Sequence, residues 1–275
     1  MYHSITFGDK NTWDDWHLVP ETRPVINPPE PKFVKIDIPS GDGDLDLTNA
    51  LSPYTYYQNR TGELTFIVMN DLYYQVKNEK EWYVKYTEIM NYLHGKKMIM
   101  ILEDDRQYYY YGRFYVDEWE SEEHHSKITI KYDVEPYKWN IFSSLDDWLW
   151  DPFNFVTGVI PNPDYKDVEL PAQVNGELSW VTININKRDI GVAPVCPTIY
   201  VTYNTGPSLI MNSLVFKIPG YTGTRSYDTD ETNGGFKVPE LVFRKDMDDE
   251  DLKIEVAADC LYGGKLSLEI REGCF

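Results

Sequence analysis

The sequence predicts a mainly β chain: a β-sandwich carrying one α-helix over residues 1–140, then a second β-sandwich over 141–275. Three observations lead there. Aromatic residues make up 15% of the chain, with 22 Tyr, 8 Trp and 11 Phe, and flat rings pack well on a pleated, half-buried surface. Short runs of alternating apolar and polar residues recur between turns rich in Gly, Pro and Asn, which is the pattern of strands. One stretch alone carries apolar residues at convincing helical spacing.

Taken in order, residues 20–40, PETRPVINPPEPKFVKIDIPS, hold six prolines. Proline lacks an amide donor, so an extended arm or sheet edge is expected here. Within it FVKIDI (33–38) alternates as a strand, and GDGDLDL (41–47) reads as a Gly/Asp turn leading into a short strand. GELTFIVM (62–69) is a strand with Leu64, Phe66 and Val68 on one face. EWYVKYTEIMNYLHG (81–95) is the helix: Trp82, Tyr86, Ile89, Met90 and Leu93 recur at its period, and Gly95 suits the position just past its end. A meander follows, built from MIMILE (98–103), a DDRQ turn (104–107), YYYYGRFYV (108–116) and KITIKYDVE (127–135). Successive rings of the tyrosine run point to opposite faces, so at most two of the four share a surface. Gly112 marks a bulge or a close backbone approach. EWESEE (118–123) is expected to form a solvated hairpin loop. Residues 140–165 break the pattern and read as a junction. Beyond it, strands are expected at 178–186, 197–204, 213–219, 240–245, 252–259 and 265–272, with turns at NG (175–176), NGG (233–235) and YGG (262–264). Short strands at this spacing suggest a sandwich.

The bulk chemistry excludes several function classes. Net charge is −19 with a pI near 4.6, divided as −9 over 1–140 and −10 over 141–275. Such a surface repels phosphate backbones and anionic membranes, so no sequence-specific nucleic-acid binding is expected. The longest uninterrupted apolar runs, such as MIMIL, fall far short of the roughly 18 residues a membrane span needs. The N-terminus shows neither a basic n-region nor an apolar run, so a soluble product made in a cytoplasm is expected. Cys196, Cys260 and Cys274 are odd in number and widely spaced, which indicates neither a disulfide framework nor a zinc site.

Candidate chemistry is sparse. Glu118, Glu120, Glu122 and Glu123 could supply the paired carboxylates of a glycosidase, with Glu118 and Glu122 the nearest to such a pair, but solvated loop acids are the plainer reading. His124 and His125 are adjacent, so in a strand they face opposite ways. DGDLD (42–46) lacks the glutamate spacing of an EF-hand. No metalloprotease, nucleophile-elbow, Walker or dinucleotide motif occurs, and neither catalysis nor a cofactor is expected. Trp148, Trp150, Tyr165, Tyr221 and Tyr227 lie in expected loops and could stack on sugars; Trp148 and Trp150 could equally plug the junction.

Three stretches in succession, FGDKNTWDDWHLV (7–19), PPEPKFVKIDIPSGDGDLDLTNAL (28–51) and YYGRFYV with KITIKYDVEPYKW (110–116 and 127–139), resemble the distal tail protein (Dit) family of long-tailed bacteriophages. The resemblance covers roughly residues 1–140 and includes the glycines after the proline-serine turn, Gly41 and Gly43. It implies a tail-tube-like first domain that assembles as a homo-hexameric ring in the virion. That ring would join the tail tube protein to the tail-associated hub protein at the tail tip and let DNA pass. It also implies an outer domain similar to galectin-like or carbohydrate-binding modules, with receptor-binding proteins or cell-wall polysaccharide as further partners. Arg113 and the acids Glu118, Glu120, Glu122 and Glu123 are then candidates for subunit or lumen contacts. The rival readings are a glycan-binding host-recognition module, a glycosidase, and another tail-tube or baseplate component.

Overall fold

The computed structural model describes residues 3–39, 41–50, 54–68, 79–121, 126–146, 163–204, 213–218, 223–228 and 235–275. The chain divides into two compact units, 1–138 with Phe275, and 139–274. Both are built mainly of β-strands.

The first unit contains β1 (Ile5–Phe7), β2 (Lys10–Asn11), β3 (Leu18–Pro20), β4 (Lys35–Asp37), β5 (Asp44–Asp46), β6 (Arg60–Val68), α1 (Glu79–Leu93), β7 (Lys97–Leu102), β8 (Tyr108–Ser121) and β9 (Ser126–Val134). Seven of these strands form one antiparallel sheet in the order β2-β1-β7-β8-β9-β6-β3. β1 and β3 stand five places apart, about 24 Å in a flat sheet at ordinary strand spacing. Yet one residue holds both. Thr12 donates its amide to Ile5 O at 2.8 Å, accepts the Ile5 amide on Oγ1 at 2.9 Å, and accepts the Leu18 amide on its carbonyl at 2.7 Å. The sheet is therefore curled until its ends nearly meet, with Thr12 fully buried as the clasp.

The curl encloses the core. Ile5, Phe7, Leu18, Phe66, Phe114 and Ile128 come from five strands, and with Trp16 they form one buried cluster. Phe7 meets Phe114 edge-on at 5.0 Å. Fully burying each such side chain stabilises by about 1.5–3 kcal/mol. Helix α1 closes the cluster with Ile89 and Leu93, both fully buried, at the spacing the sequence shows. It ends where expected: Gly95 takes φ +75 and donates its amide to Phe114 O, at 2.8 Å.

Strand β8 departs from expectation in an informative way. It runs on to Ser121, and its ladder with β9 shifts register between Val116 and Glu118. The extra residue there reverses the alternation. Tyr110, Phe114 and Val116 are buried before it, and Trp119 packs against the core after it. Glu118 and Glu120 are thus exposed strand residues opposite Thr129 and Lys127, not part of a loop. The broken alternation hid the strand. Gly112 is the close approach rather than the bulge: a Cβ there would lie 2.2 Å from Asp133 O and 2.4 Å from Val134 Cα.

β10 (Lys138–Asn140) spans the division between the units. The second unit continues with β11 (Val168–Leu170), β12 (Trp180–Asn184), β13 (Thr198–Tyr203), β14 (Ser213–Lys217), β15 (Thr224–Asp228), β16 (Phe236–Lys237), β17 (Lys253–Asp259), β18 (Gly264–Glu269) and β19 (Gly273–Cys274). Two antiparallel four-stranded sheets, β11-β18-β13-β16 and β12-β17-β14-β15, make up its main body. Ile199, Leu266 and Leu268 from one share a cluster with Ile254, Val256 and Phe216 from the other, which makes the unit a sandwich. Asn175 and Gly176 take φ +55 and +80 between bridged Val174 and Glu177, the geometry of a tight hairpin turn.

The strand expected at 240–245 is absent. Leu241 and Phe243 are buried, but the segment makes one bridge only, Val195 with Phe243. Alternation there reports one-sided burial without ladder pairing. The short strands β11, β15, β16 and β19 were not expected, since they are too short or too polar to show a periodic face. All three cysteines are free thiols.

Two substitutions test this construction. Thr12→Val strands the buried Ile5 amide and lowers stability by about 1–3 kcal/mol, whereas Thr12→Ser keeps the acceptor and stays within about 1 kcal/mol; the urea midpoint of the first unit measures both. Gly112→Ala drives a methyl into backbone that cannot yield, so soluble folded protein is lost, as read by far-UV dichroism of the purified fraction.

Candidate subunit interface

Between β3 and β6 the chain leaves the sheet and returns as a two-stranded ribbon. At its base Gln58 donates to Glu30 O at 2.7 Å and Lys32 to Tyr56 O at 2.8 Å, and farther out β4 pairs β5 in antiparallel register, Ile36 opposite Leu45. The root is held firmly. Arg60, 4% exposed, donates Nε to Pro136 O at 2.8 Å and lies 5.5 Å from the Tyr110 ring, while Asn27 donates Nδ2 to Thr61 O at 2.9 Å and its amide to the Tyr132 hydroxyl at 3.0 Å.

Beyond the root no described residue covers the ribbon. Every described residue from 32 to 46 is exposed, including Phe33 (61%), Val34 (56%), Ile36 (51%) and Leu45 (50%). The periodic apolar pattern of FVKIDI marked a strand in the sequence, and the strand exists, but its side chains bury nothing within the described residues. An isolated two-stranded ribbon is marginal in water.

A second cluster lies at a 3-10 turn, whose three consecutive acids hold segment 3–4, Arg23 and Lys138. Glu103 accepts from the Ser4 hydroxyl at 2.7 Å and pairs with Arg106; Asp104 holds the His3 ring and Arg23 Nε, each at 2.8 Å; Asp105 pairs with Lys138 at 2.7 Å. The His3 hydrogen bond, then Arg23, hold the Asp104 carboxyl below its ordinary value; the Ser4 hydroxyl, then Arg106, do the same for Glu103. In the sequence Glu103 was legible as a strand end and Asp104 and Asp105 as a turn.

The residues singled out in the sequence fare unevenly. Arg113 is exposed and donates Nη1 to Gly95 O at 2.8 Å, so it caps the loop after α1. Glu118 and Glu120 project from the outer face of β8, while Glu122, Glu123, Trp148, Trp150 and Tyr221 lie outside the described residues. Tyr165 is corrected outright. It is fully buried, its hydroxyl donating to Asp189 at 3.0 Å and accepting the Asn186 amide at 2.7 Å, so no sugar can reach the ring. Tyr227 is half-buried, edge-on to Phe216 at 5.8 Å, with its hydroxyl on Glu240 at 3.0 Å. The described residues contain no cluster of three metal-ligating side chains, and no described helix is long and apolar enough to cross a membrane.

No family model and no curated protein sequence matches the chain. Among solved structures, it is similar to the SPP1 Dit (gp 19.1) protein, described as a paradigm of the hub adsorption apparatus in phages that infect Gram-positive bacteria. The likeness covers 99% of each chain at a TM-score of 0.53 and 12% sequence identity. At that identity it establishes a Dit-like fold.

The acid turn makes a pH-dependent anchor. Both carboxylates have folded values below their unfolded ones, so the anchor is fully present above the ordinary carboxylate range of about 4. It is lost as pH falls through the lowered values of Asp104 and Glu103. Hydrogen-exchange protection factors at the Ser4 and Glu103 amides are expected to hold from neutral pH to about 5 and to collapse below about 4. Asp104→Asn is expected to weaken protection at neutral pH; a profile that stays flat into strong acid refutes the anchor.

Proposed function

We propose that this chain is a structural subunit of the tail hub of a long-tailed bacteriophage. Six copies close into a ring that joins the tail tube to the tail-tip hub and leaves a channel for DNA, with no catalysis. The correspondence in fold along the whole chain with a phage hub protein carries the reading. Three further features support it.

The ribbon supplies the physical need for a partner, and its root in the curled sheet supplies a fixed direction. A ring closes through heterologous contacts, in which one patch of each subunit meets a different patch of the next. A projecting arm with its own apolar surface suits such a contact. The charge fits as well. A net −19 per copy multiplied around a ring gives a wall that repels a passing genome, so DNA does not adhere to it. The exposed acids of β8, Glu118 and Glu120, are candidates for that wall. In this reading the second unit is an outer domain to which receptor-binding proteins or wall polysaccharide could attach. The rival glycosidase reading rests on Glu118, which stands on an exposed strand face opposite Thr129, and on Glu122, which lies outside the described residues.

Native mass spectrometry and negative-stain imaging of the purified full chain test the proposal. The expected result is a six-membered annulus whose mass is six times the 32.2 kDa of one copy. A species that remains monomeric at every concentration, or that forms an open filament, overturns it.

A further inference from the structure

Among the described residues, the outer face of sheet β11-β18-β13-β16 carries one aromatic ring. Tyr200, opposite Ser267 in the ladder, points away from the core that its neighbours Ile199 and Val201 face. The rest of that face is hydrophilic: Thr198 and Thr202 on β13, Ser267 and Glu269 on β18, Lys237 on β16, and a Lys265–Glu169 pair at 3.4 Å beside Thr202. Tyr200 is 39% exposed, and because β13 is an inner strand this exposure belongs to the ring.

A lone exposed apolar residue is ordinary, but this ring is held in place. Its hydroxyl donates to Glu269 Oε2 at 2.9 Å, and Glu269 Oε1 accepts Nε and Nη2 of Arg271 at 3.1 and 2.7 Å. Arg271 Nη1 in turn donates to the carbonyls of Asn140 and Ile141. The ring also lies against Gly235, where a Cβ would sit 2.7 Å from Cζ and 2.8 Å from Cε1. No other ring and no cation packs on it among the described residues. That separates Tyr200 from Trp180 of the other sheet, whose ring centre has Lys217 Nζ at 4.4 Å, and from Tyr227, which meets Phe216 and Phe236.

We propose that Tyr200 is a stacking platform for an uncharged sugar of a cell-surface polysaccharide. The inference rests on the reading of the second unit as an outer domain and gives that domain a site. A pyranose is amphipathic: one face presents C–H groups and the rim presents hydroxyls. The negative face of an aromatic ring attracts the C–H face, and hydroxyl and charged side chains around it meet the rim with donors and acceptors. Thr198 and Thr202 supply hydroxyls, and the Ser267 hydroxyl, which accepts the Asp167 amide at 3.0 Å, keeps its proton to donate. Lys237 is exposed and makes no ion pair among the described residues, so its ammonium is a further donor. An apolar protein partner would meet a single ring here and no contiguous patch. A net charge of −19 opposes a polyanion, which selects a neutral sugar. Because the ring is oriented before the ligand arrives, little side-chain freedom is lost on binding.

The purified full chain passed over immobilised dextran, mannan, galactan and chitin oligosaccharides, with polyglycerol phosphate as the anionic control, tests the platform. Binding to at least one neutral glycan and none to polyglycerol phosphate is expected. Tyr200→Ala is expected to weaken that binding about tenfold, and Trp180→Phe to leave it unchanged. A chain with 3-fluorotyrosine at position 200 reads the same contact without risk to folding: its fluorine resonance is expected to shift and saturate as the bound glycan is added. Binding to none of the neutral glycans, equal or tighter binding to polyglycerol phosphate, or a fluorine signal that stays fixed while glycan binds overturns the platform. Assembly is read separately by mass. A hexamer that binds no glycan sinks the platform and leaves the ring reading standing, whereas a monomer whose Tyr200 signal saturates with glycan keeps the platform and removes the ring.

Discussion

The closure of one sheet upon itself governs the first unit. Thr12 stitches β1 to the start of β3 through three backbone-directed hydrogen bonds, and the interior this creates is filled by the alternating residues of the long strands and one face of the helix. Of the 39 residues between β3 and β6, Ile26 joins that interior, while the described residues of 32–46 stand exposed as a ribbon. The buried Arg60 holds the root from which it leaves.

Much of this was legible in the residues. The period of α1, Gly95 beyond its end, the one-sided alternation of β6 and β9, and the Asn-Gly turn all report local chemistry that the tertiary structure keeps. Three kinds of feature were not legible. The bulge between Val116 and Glu118 reverses a pattern whose meaning depends on its parity, so a strand looked like a loop. Leu241 and Phe243 showed strand-like alternation while lacking a ladder, because alternation records which side is buried and is silent on what the backbone pairs with. Tyr165 stood in a loop-like sequence, yet its hydroxyl found a buried carboxylate, and burial follows from long-range packing that a local reading does not see.

The candidate interface shows the same division. The proline-rich stretch announced an extended segment, because proline constrains the backbone wherever it occurs. That Ile26 would enter the core while 32–46 stay exposed follows from long-range packing that local composition does not report. The acid turn at 103–105 is a further case: the sequence showed Glu103 ending a strand and Asp104 and Asp105 in a turn, and only the fold brings His3, Ser4, Arg23 and Lys138 to them.

The exposed ribbon has a consequence for the solubility of the chain. An uncovered strand pair rich in isoleucine and valine is a template for stacking into insoluble aggregates. The aspartates set among those apolar residues act as gatekeepers: two ribbons approaching edge to edge bring like charges together, and the mutual repulsion keeps newly made copies dispersed.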